Sequence, residues 1–428
     1  MTSVKIAVLS IITVLIAWNS NAQDIDYAKK TIEILSSAKM HGRGYVKNGD
    51  FKAARFIAKE FKSIGLEPLS DNYFQGFDFS VNSFPSKMKF KVDDNLLSPG
   101  YDFLIDPASP GIKGSFPVCI LKEYSNLNAL VNRLNSRKES FVLVVDWFSL
   151  SDLSEEKRNE LKANLARFQR NGFSKLSAIV EYSTEKLTWT GSTGLLSLPR
   201  FTVKASEFGL NENSTLTFNV KNKFRKEYHS NNIIGYLPGE NTDSVIVLSA
   251  HYDHLGRMGK GCYFPGANDN ASGVAMLLNQ ARELKHVKRP YSILFIAFAA
   301  EEIGLLGSGY YVAHPLIELD RIKFLLNLDL AGTGDEGIQI VNGSIHTALF
   351  SKIQTLNRRD NLLTKVKTRG AACNSDHCHF HERNVPSFFI YTLGGIKAYH
   401  DVYDRYETLP LTAYDGYFKL LNRFILSL

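Results

Sequence analysis

The chain is poor in the features that would mark several protein classes. It has 4 cysteines and 3 tryptophans in 428 residues. No C-x-x-C pair occurs, so a structural zinc site built on thiolates is not expected. There is no H-E-x-x-H helix and no G-x-S-x-G nucleophile elbow, which removes two common hydrolase designs. Internal repeats and low-complexity tracts are absent. Past the N-terminus no apolar run is long enough to span a bilayer. Basic residues exceed acidic ones, 50 to 43, for a formal charge of +7, but they are scattered. The densest basic stretch, Lys221 to Lys226, reads as a solvated linker, because no stacking aromatics interleave along a basic face; a nucleic-acid partner is not expected. What is present is ordinary. At 44% hydrophobic and 22% charged residues, the chain can bury a sizeable core in one large domain or two moderate ones.

The first residues have the pattern of an export signal. Lys5 supplies positive charge, Ile6 to Trp18 are apolar, and Ser20 and Ala22 occupy small-residue cleavage positions. Residues 1–22 are therefore expected to be removed, and the protein to work in the periplasm or outside the cell. Disulfides are permitted there. Cys119, Cys262, Cys373 and Cys378 allow three full pairings; the short separation of Cys373 and Cys378 favours that pair.

Residues 23–80 contain two amphipathic helical patterns, Tyr27 to Ser37 and Phe51 to Ile64. In the second, Phe51, Ala54, Phe56, Ile57, Phe61 and Ile64 form one stripe and Gly65 is a C-cap. Residues 81–230 change character. Short β-rich runs (Met88–Val92, Phe141–Trp147, Ser177–Tyr182, Phe201–Lys204, Leu216–Val220) surround one polar helix, Ser154 to Asn171, and read as an inserted domain. From 231 to 428, near-continuous apolar runs alternate with helical patterns: Ser244–Ala250, Ser292–Ala299, Phe324–Leu328 and Ser387–Thr392. Such runs imply an α/β fold with a mostly parallel mixed sheet sandwiched by helices.

In such sheets ligands bind beyond the carboxyl ends of the strands. Three of these runs end in residues that bind metals or move protons: His251-Tyr252-Asp253-His254, Glu301-Glu302 and Asp329. The loop Gly266–Gly273, GANDNASG, adds Asp269, and the stretch Tyr399–Asp404 adds His400 with acidic neighbours. Taken singly, each has a structural reading as a helix cap, a turn or a strand-end residue. Together they converge on one predicted rim. A set of His, Asp and Glu without thiolate suits zinc in a water-open site. Two histidines and three carboxylates exceed the needs of one four-coordinate ion and suit two ions about 3.5–4 Å apart sharing a carboxylate.

In their order along the chain, H-Y-D-H, G-A-N-D-N-A-S-G, A-A-E-E-I-G-L-L-G-S, N-L-D and Y-H-x-x-x-D resemble the co-catalytic zinc aminopeptidases of metallopeptidase family twenty-eight, clan MH. The segment HGRGY, His41 to Tyr45, is similar to that family's N-terminal segment. The resemblance implies His251 and Asp329 on one zinc, Glu302 and His400 on the other, and Asp269 bridging both. It implies Glu301 as general base and then acid, and Tyr399 as a partner of the tetrahedral oxyanion. Asp253 would orient His251, and Asp404 would do the same for His400. The expected substrates are peptides, cut at their N-terminal residue. The middle segment resembles, more loosely, a protease-associated domain flanking the cleft. The stretch Asn374-Ser375-Asp376-His377 is similar to the family's S-D-H segment, and the histidines that follow it, His379 and His381, read as scattered imidazoles on a strand or loop.

Three alternatives share the fold. A glutaminyl cyclase-like transferase would use one zinc; a binding ectodomain would have lost the ligands, all of which are present here; a carboxypeptidase would need a basic grip on the substrate carboxylate.

Overall fold

The computed structural model describes residues 24–205 and 209–428, so the expected signal segment lies outside the described residues. Two eight-stranded sheets organise the chain. The first contains the apolar runs of the C-terminal half. Four strands, Tyr291–Phe298, Asn241–His251, Ile322–Leu328 and Ser387–Thr392, run parallel to one another at its centre. Antiparallel strands flank them: Lys223–Leu237 with Phe74–Ser83 on one side and Ile338–Val341 on the other, the latter paired in parallel with Val366–Thr368.

Alternation along these strands divides two cores, since successive side chains face opposite sides of a sheet. Ile246, Leu248, Ile293 and Phe295 pack beneath helices Ile25–Ser36, Gly49–Ile64, Gly273–Leu284 and Tyr414–Ile425. Val245, Val247, Leu294 and Ile296 face the other way, against Tyr311 and Phe380 of the short helices Leu306–Ala313 and His377–Glu382. Both faces are covered, which is why these runs read as continuously apolar.

Helix Gly49–Ile64 ends as expected: Gly65, at φ 92°, returns its amide to the Phe61 and Lys62 carbonyls. Its stripe is shifted, however. Phe51 is exposed and Phe56 half-buried, while Ala53 and Ala58 join Ala54, Ile57 and Phe61 in the core. The basic stretch at Lys221–Lys226 is not a linker either; from Lys223 it is the beginning of a strand paired with Val81–Ser83.

The second sheet, ordered from Asn95–Leu96 through Lys89–Val92, Thr215–Val220, Ile112–Leu121, Phe141–Asp146, Leu176–Ser183 and Arg200–Lys204 to Phe103–Ile105, takes up the middle of the chain. Strand Ile112–Leu121 was not anticipated from the sequence. Up to Pro117 it pairs antiparallel with Thr215–Val220, and from Val118 parallel with Phe141–Asp146. Helix Leu127–Asn135 was likewise unanticipated; with Glu155–Asn171 it covers one face of this sheet. The other face packs Phe90, Phe103, Phe201 and Phe218 together with Leu255, Phe264 and Val402 from the C-terminal half. Among the described residues no helix is long and apolar enough to cross a membrane.

Candidate active site

The strand ends and loops do converge. His251 closes strand Asn241–His251, and Glu301 and Glu302 follow Tyr291–Phe298 after Ala300, which turns the chain at φ 57°. Asp329 follows Ile322–Leu328. Asp269 lies in an irregular turn, Ala267–Ser272, leading into helix Gly273–Leu284; its peptide to Asn270 is cis. These residues line a cleft of about 360 Å³ together with Leu330, Asn374, Phe389, Tyr391, Tyr399 and His400.

Within the cleft the Asp269 carboxylate divides its oxygens. Oδ1 lies 3.4 Å from His251 Nε2, and Asp329 Oδ1 stands at the same distance from that nitrogen. Oδ2 lies 3.0 Å from His400 Nε2, which is also 3.0 Å from Glu302 Oε2. Glu301 stands further from the imidazole: its Oε2 approaches His251 Nε2 to 4.0 Å, close enough to form a donor group with His251 and Asp329.

The electrostatics call for a cation. His251 Nδ1 faces the Asp253 carbonyl at 3.3 Å. A carbonyl only accepts, so Nδ1 carries a proton and Nε2 faces the carboxylates. Both His251 Nε2 and Asp329 Oδ1 are buried without a hydrogen-bond partner. Burial pushes the His251 imidazole down, yet Glu301 and Asp329 hold it well above its usual value. Carboxylates converging in a dry site need positive charge between them, as protons on the imidazoles or as a metal. Burial pushes the His400 imidazole down, yet the Glu302 and Asp269 carboxylates overcome it and hold His400 up at about 11. The residues thus fit a metal: His251 with Asp329 and Asp269 Oδ1, and His400 with Glu302 and Asp269 Oδ2, each form a compact N/O donor group. Such donors suit zinc and not a thiolate-seeking ion.

The supporting contacts differ in part from expectation. The Asp253 carboxylate stands 3.8 Å from His251 Nδ1, and it also accepts the amides of Glu301 at 3.1 Å and Glu302 at 3.4 Å. It thereby joins two strand ends. Asp404 turns to the Asp269 loop instead of His400: its carboxylate oxygens accept the amides of Asn268 at 2.8 Å and Asp269 at 2.9 Å. The reason is local, because the Asp404 carbonyl also receives the Ala267 amide and docks the two loops side by side. Tyr399 lines the cleft, and its ring lies over that of His400 at 4.0 Å.

Three further residues gain roles that spacing did not show. His254 Nδ1 lies 2.6 Å from Glu302 Oε1, opposite the oxygen that faces His400. Ser375 Oγ donates to Asp329 Oδ2 at 3.2 Å, and is itself held by Asn327. Arg43, fully buried, donates to the carbonyls of Tyr252, Leu35, Pro265, Gly266 and Asp269 at 2.8–3.0 Å. The HGRGY segment is shaped for this approach: Gly42 sits at φ 68°, where a Cβ would strike the Gly256 carbonyl at 2.4 Å. The run of histidines after Asp376 forms the short helix His377–Glu382, not a strand or loop, and Cys373 is bonded to Cys378 in its first turn. Cys119 and Cys262 are free and buried.

The chain resembles known proteins in sequence and in fold. Residues 232–425 match the model of peptidase family M28. Aminopeptidase YwaD of Bacillus subtilis is 36% identical over 166 residues, 37% of this chain and 34% of that protein. Leucine aminopeptidase 2 of Arthroderma otae is 30% identical over 187 residues, 42% of this chain and 36% of that protein. The matched stretch spans about a third of the length of these curated relatives. Among solved structures, a zinc aminopeptidase from Bacillus subtilis superposes with a TM-score of 0.68 at 22% identity, over 94% of each chain. The peptidase M28 precursor of Shewanella amazonensis gives 0.66 at 16% identity, over 95% of this chain and 93% of that one. The likeness in fold therefore extends over both sheets. Over residues 232–425 the chain is similar to peptidase family M28, and over both sheets it shares the fold of the aminopeptidases named above.

Proposed function

We propose that this protein is an exported zinc aminopeptidase that releases N-terminal residues from peptides, with two ions per chain. The carrying observation is the division of the Asp269 oxygens between His251 and His400. His251 and Asp329 would hold one ion, Glu302 and His400 the other, and Asp269 both. Zinc in such a site supplies a Lewis acid that acidifies water and polarises a peptide carbonyl. Glu301, further from the His251 imidazole than Asp269 and Asp329 but within the same cleft, takes the proton of the attacking water and returns it to the leaving amine. Burial raises its proton affinity well above the usual carboxylate range, with Glu302, Asp376 and Asp329 acting in the same direction against His251. The Tyr399 hydroxyl donates to the developing oxyanion. Leu330, Phe389 and Tyr391 form the cleft wall that receives an apolar side chain. The Cys373–Cys378 disulfide favours an oxidising compartment, in keeping with export. The unit around the second sheet is read as an insert of the protease-associated kind beside the cleft.

The test digests a peptide library with and without a chelator, with N-terminally blocked peptides as control. Free N-terminal residues should appear only from unblocked peptides and only without chelator. Glu301→Gln should keep its zinc and lose about 10²–10⁴-fold in kcat. Cleavage of blocked peptides, or a Glu301→Gln variant near wild-type rate, would refute the reading.

A further inference from the structure

The loop carrying Tyr399 and His400 has little regular structure of its own, and His400 sits at φ 52°, a conformation that a β-carbon makes unfavourable. Something must hold it. The contacts come from the second sheet unit, out of the connection between strands Leu176–Ser183 and Arg200–Lys204. The Trp189 amide donates to the His400 carbonyl at 2.9 Å. Lys186 Nζ donates to the carbonyls of Lys397 at 2.7 Å and Tyr399 at 3.1 Å, and pairs with Asp401 Oδ2 at 2.7 Å. Asp401, itself buried, uses the same carboxylate to accept the amides of Tyr399 at 3.4 Å and Tyr403 at 2.8 Å. One ammonium thus gathers three points of the loop on either side of His400.

The connection is anchored in turn. The Trp189 indole donates to the Ile105 carbonyl at 2.6 Å, and its ring stacks on Phe264 at 4.8 Å. The next turn presses against the second residue of the same half of the site. Gly191 lies so close to Ile303, the neighbour of Glu302, that a Cβ would meet its Cγ2 at 2.2 Å. The segment therefore touches the backbone beside both His400 and Glu302, which face one nitrogen–oxygen contact of 3.0 Å.

We infer that the second sheet unit is a brace for the metal-binding half formed by Glu302 and His400, with Lys186 as its positioning residue. It does not merely flank the cleft. The inference rests on the zinc reading of those two residues. Lys186 contacts no substrate; it acts through the loop. Because the side chain is half exposed, its replacement leaves the cores intact.

The experiment compares wild-type protein with Lys186→Met and Lys186→Arg by zinc competition titration, steady-state kinetics and amide hydrogen exchange. Lys186→Met keeps the stem and loses the charge and the donors. Its weaker-bound zinc should lose affinity on the order of tenfold, with kcat falling by a similar factor and KM nearly constant. Exchange should quicken at residues 397–403 and stay unchanged in the strands of the second sheet. Lys186→Arg should recover most of each effect. The inference is overturned by wild-type zinc affinity in Lys186→Met, with or without faster exchange, since the loop would then be held for stability alone. Equal damage in Lys186→Arg overturns it as well. If wild-type protein released no N-terminal residues, the aminopeptidase reading would fail, yet the titration and exchange arms would still judge the brace.

Discussion

Arg43 and Asp269 are joined through the main chain: the guanidinium donates to the Asp269 carbonyl at 2.9 Å, while the carboxylate of the same residue faces away, toward His251 and His400. The grip leaves the functional group free. Burial lowers the Arg43 guanidinium to about 10, with Asp269, Asp404, Asp253 and Glu302 opposing the shift, so it remains a cation at neutral pH.

Arg43→Lys is expected to be far from conservative. An ammonium has three donors and no fixed plane, and it cannot serve five carbonyls arranged around a fork. The carbonyls left without partners should cost about 2–5 kcal/mol, read by equilibrium urea unfolding. An unfolding midpoint equal to wild type would show that water fills the gap.

His254 is expected to tune metal affinity without being a ligand. It holds Glu302 Oε1 at 2.6 Å, so the opposite oxygen is kept toward His400. His254→Ala should weaken zinc binding by about 10–100-fold in a competition titration. His254→Asn, which offers an amide donor near the position of Nδ1, should recover part of that loss. Identical affinities in all three proteins would remove His254 from the site.

Asp50 supplies a pH dependence outside the residues that line the cleft. It is buried at the start of helix Gly49–Ile64, where Tyr228 and Ser230 donate to its two oxygens at 2.5 and 2.9 Å. Burial raises its carboxyl to about 6, against those hydrogen bonds. Between about pH 4 and pH 6 the folded protein therefore holds a proton that the unfolded chain has released. Stability from this group falls as pH rises through that window and is level above it, a change of about 3 kcal/mol. Asp50→Asn has no such proton to lose. Urea unfolding of both proteins at pH 4, 5, 6 and 7 should show their difference changing over that interval; a constant difference would contradict the buried-carboxyl account.

What the sequence disclosed follows from where information is local. The rim residues could be found because each ends an apolar run: His251 closes Asn241–His251, Glu301 follows Tyr291–Phe298 and Asp329 follows Ile322–Leu328. The parallel centre of the first sheet was legible for the same reason, since strands covered on both faces lose their alternation. Arg43 was not, because its partners are backbone carbonyls, and a carbonyl carries no residue identity. Asp404 was assigned to its sequence neighbour His400, yet the docking of two loops turned it to the Asn268 and Asp269 amides. Strand Ile112–Leu121 escaped because it contains Gly114 and Pro117 and changes partner midway, which breaks any single burial period. Phe51 belongs to the helical stripe by residue type, but its ring lies beside that of Phe74 at 6.5 Å and stays exposed.

The turn that holds Asp269 is clasped from both sides in sequence, by Arg43 long before it and by Asp404 long after. This has a consequence in time. A nascent chain that has not yet delivered Asp404 holds only half of the clasp, whatever the state of its sheets. Under the proposed function, hydrolytic competence would be a late event in the life of the polypeptide, and a nick or truncation that detaches either clasp should lower activity more than it lowers stability.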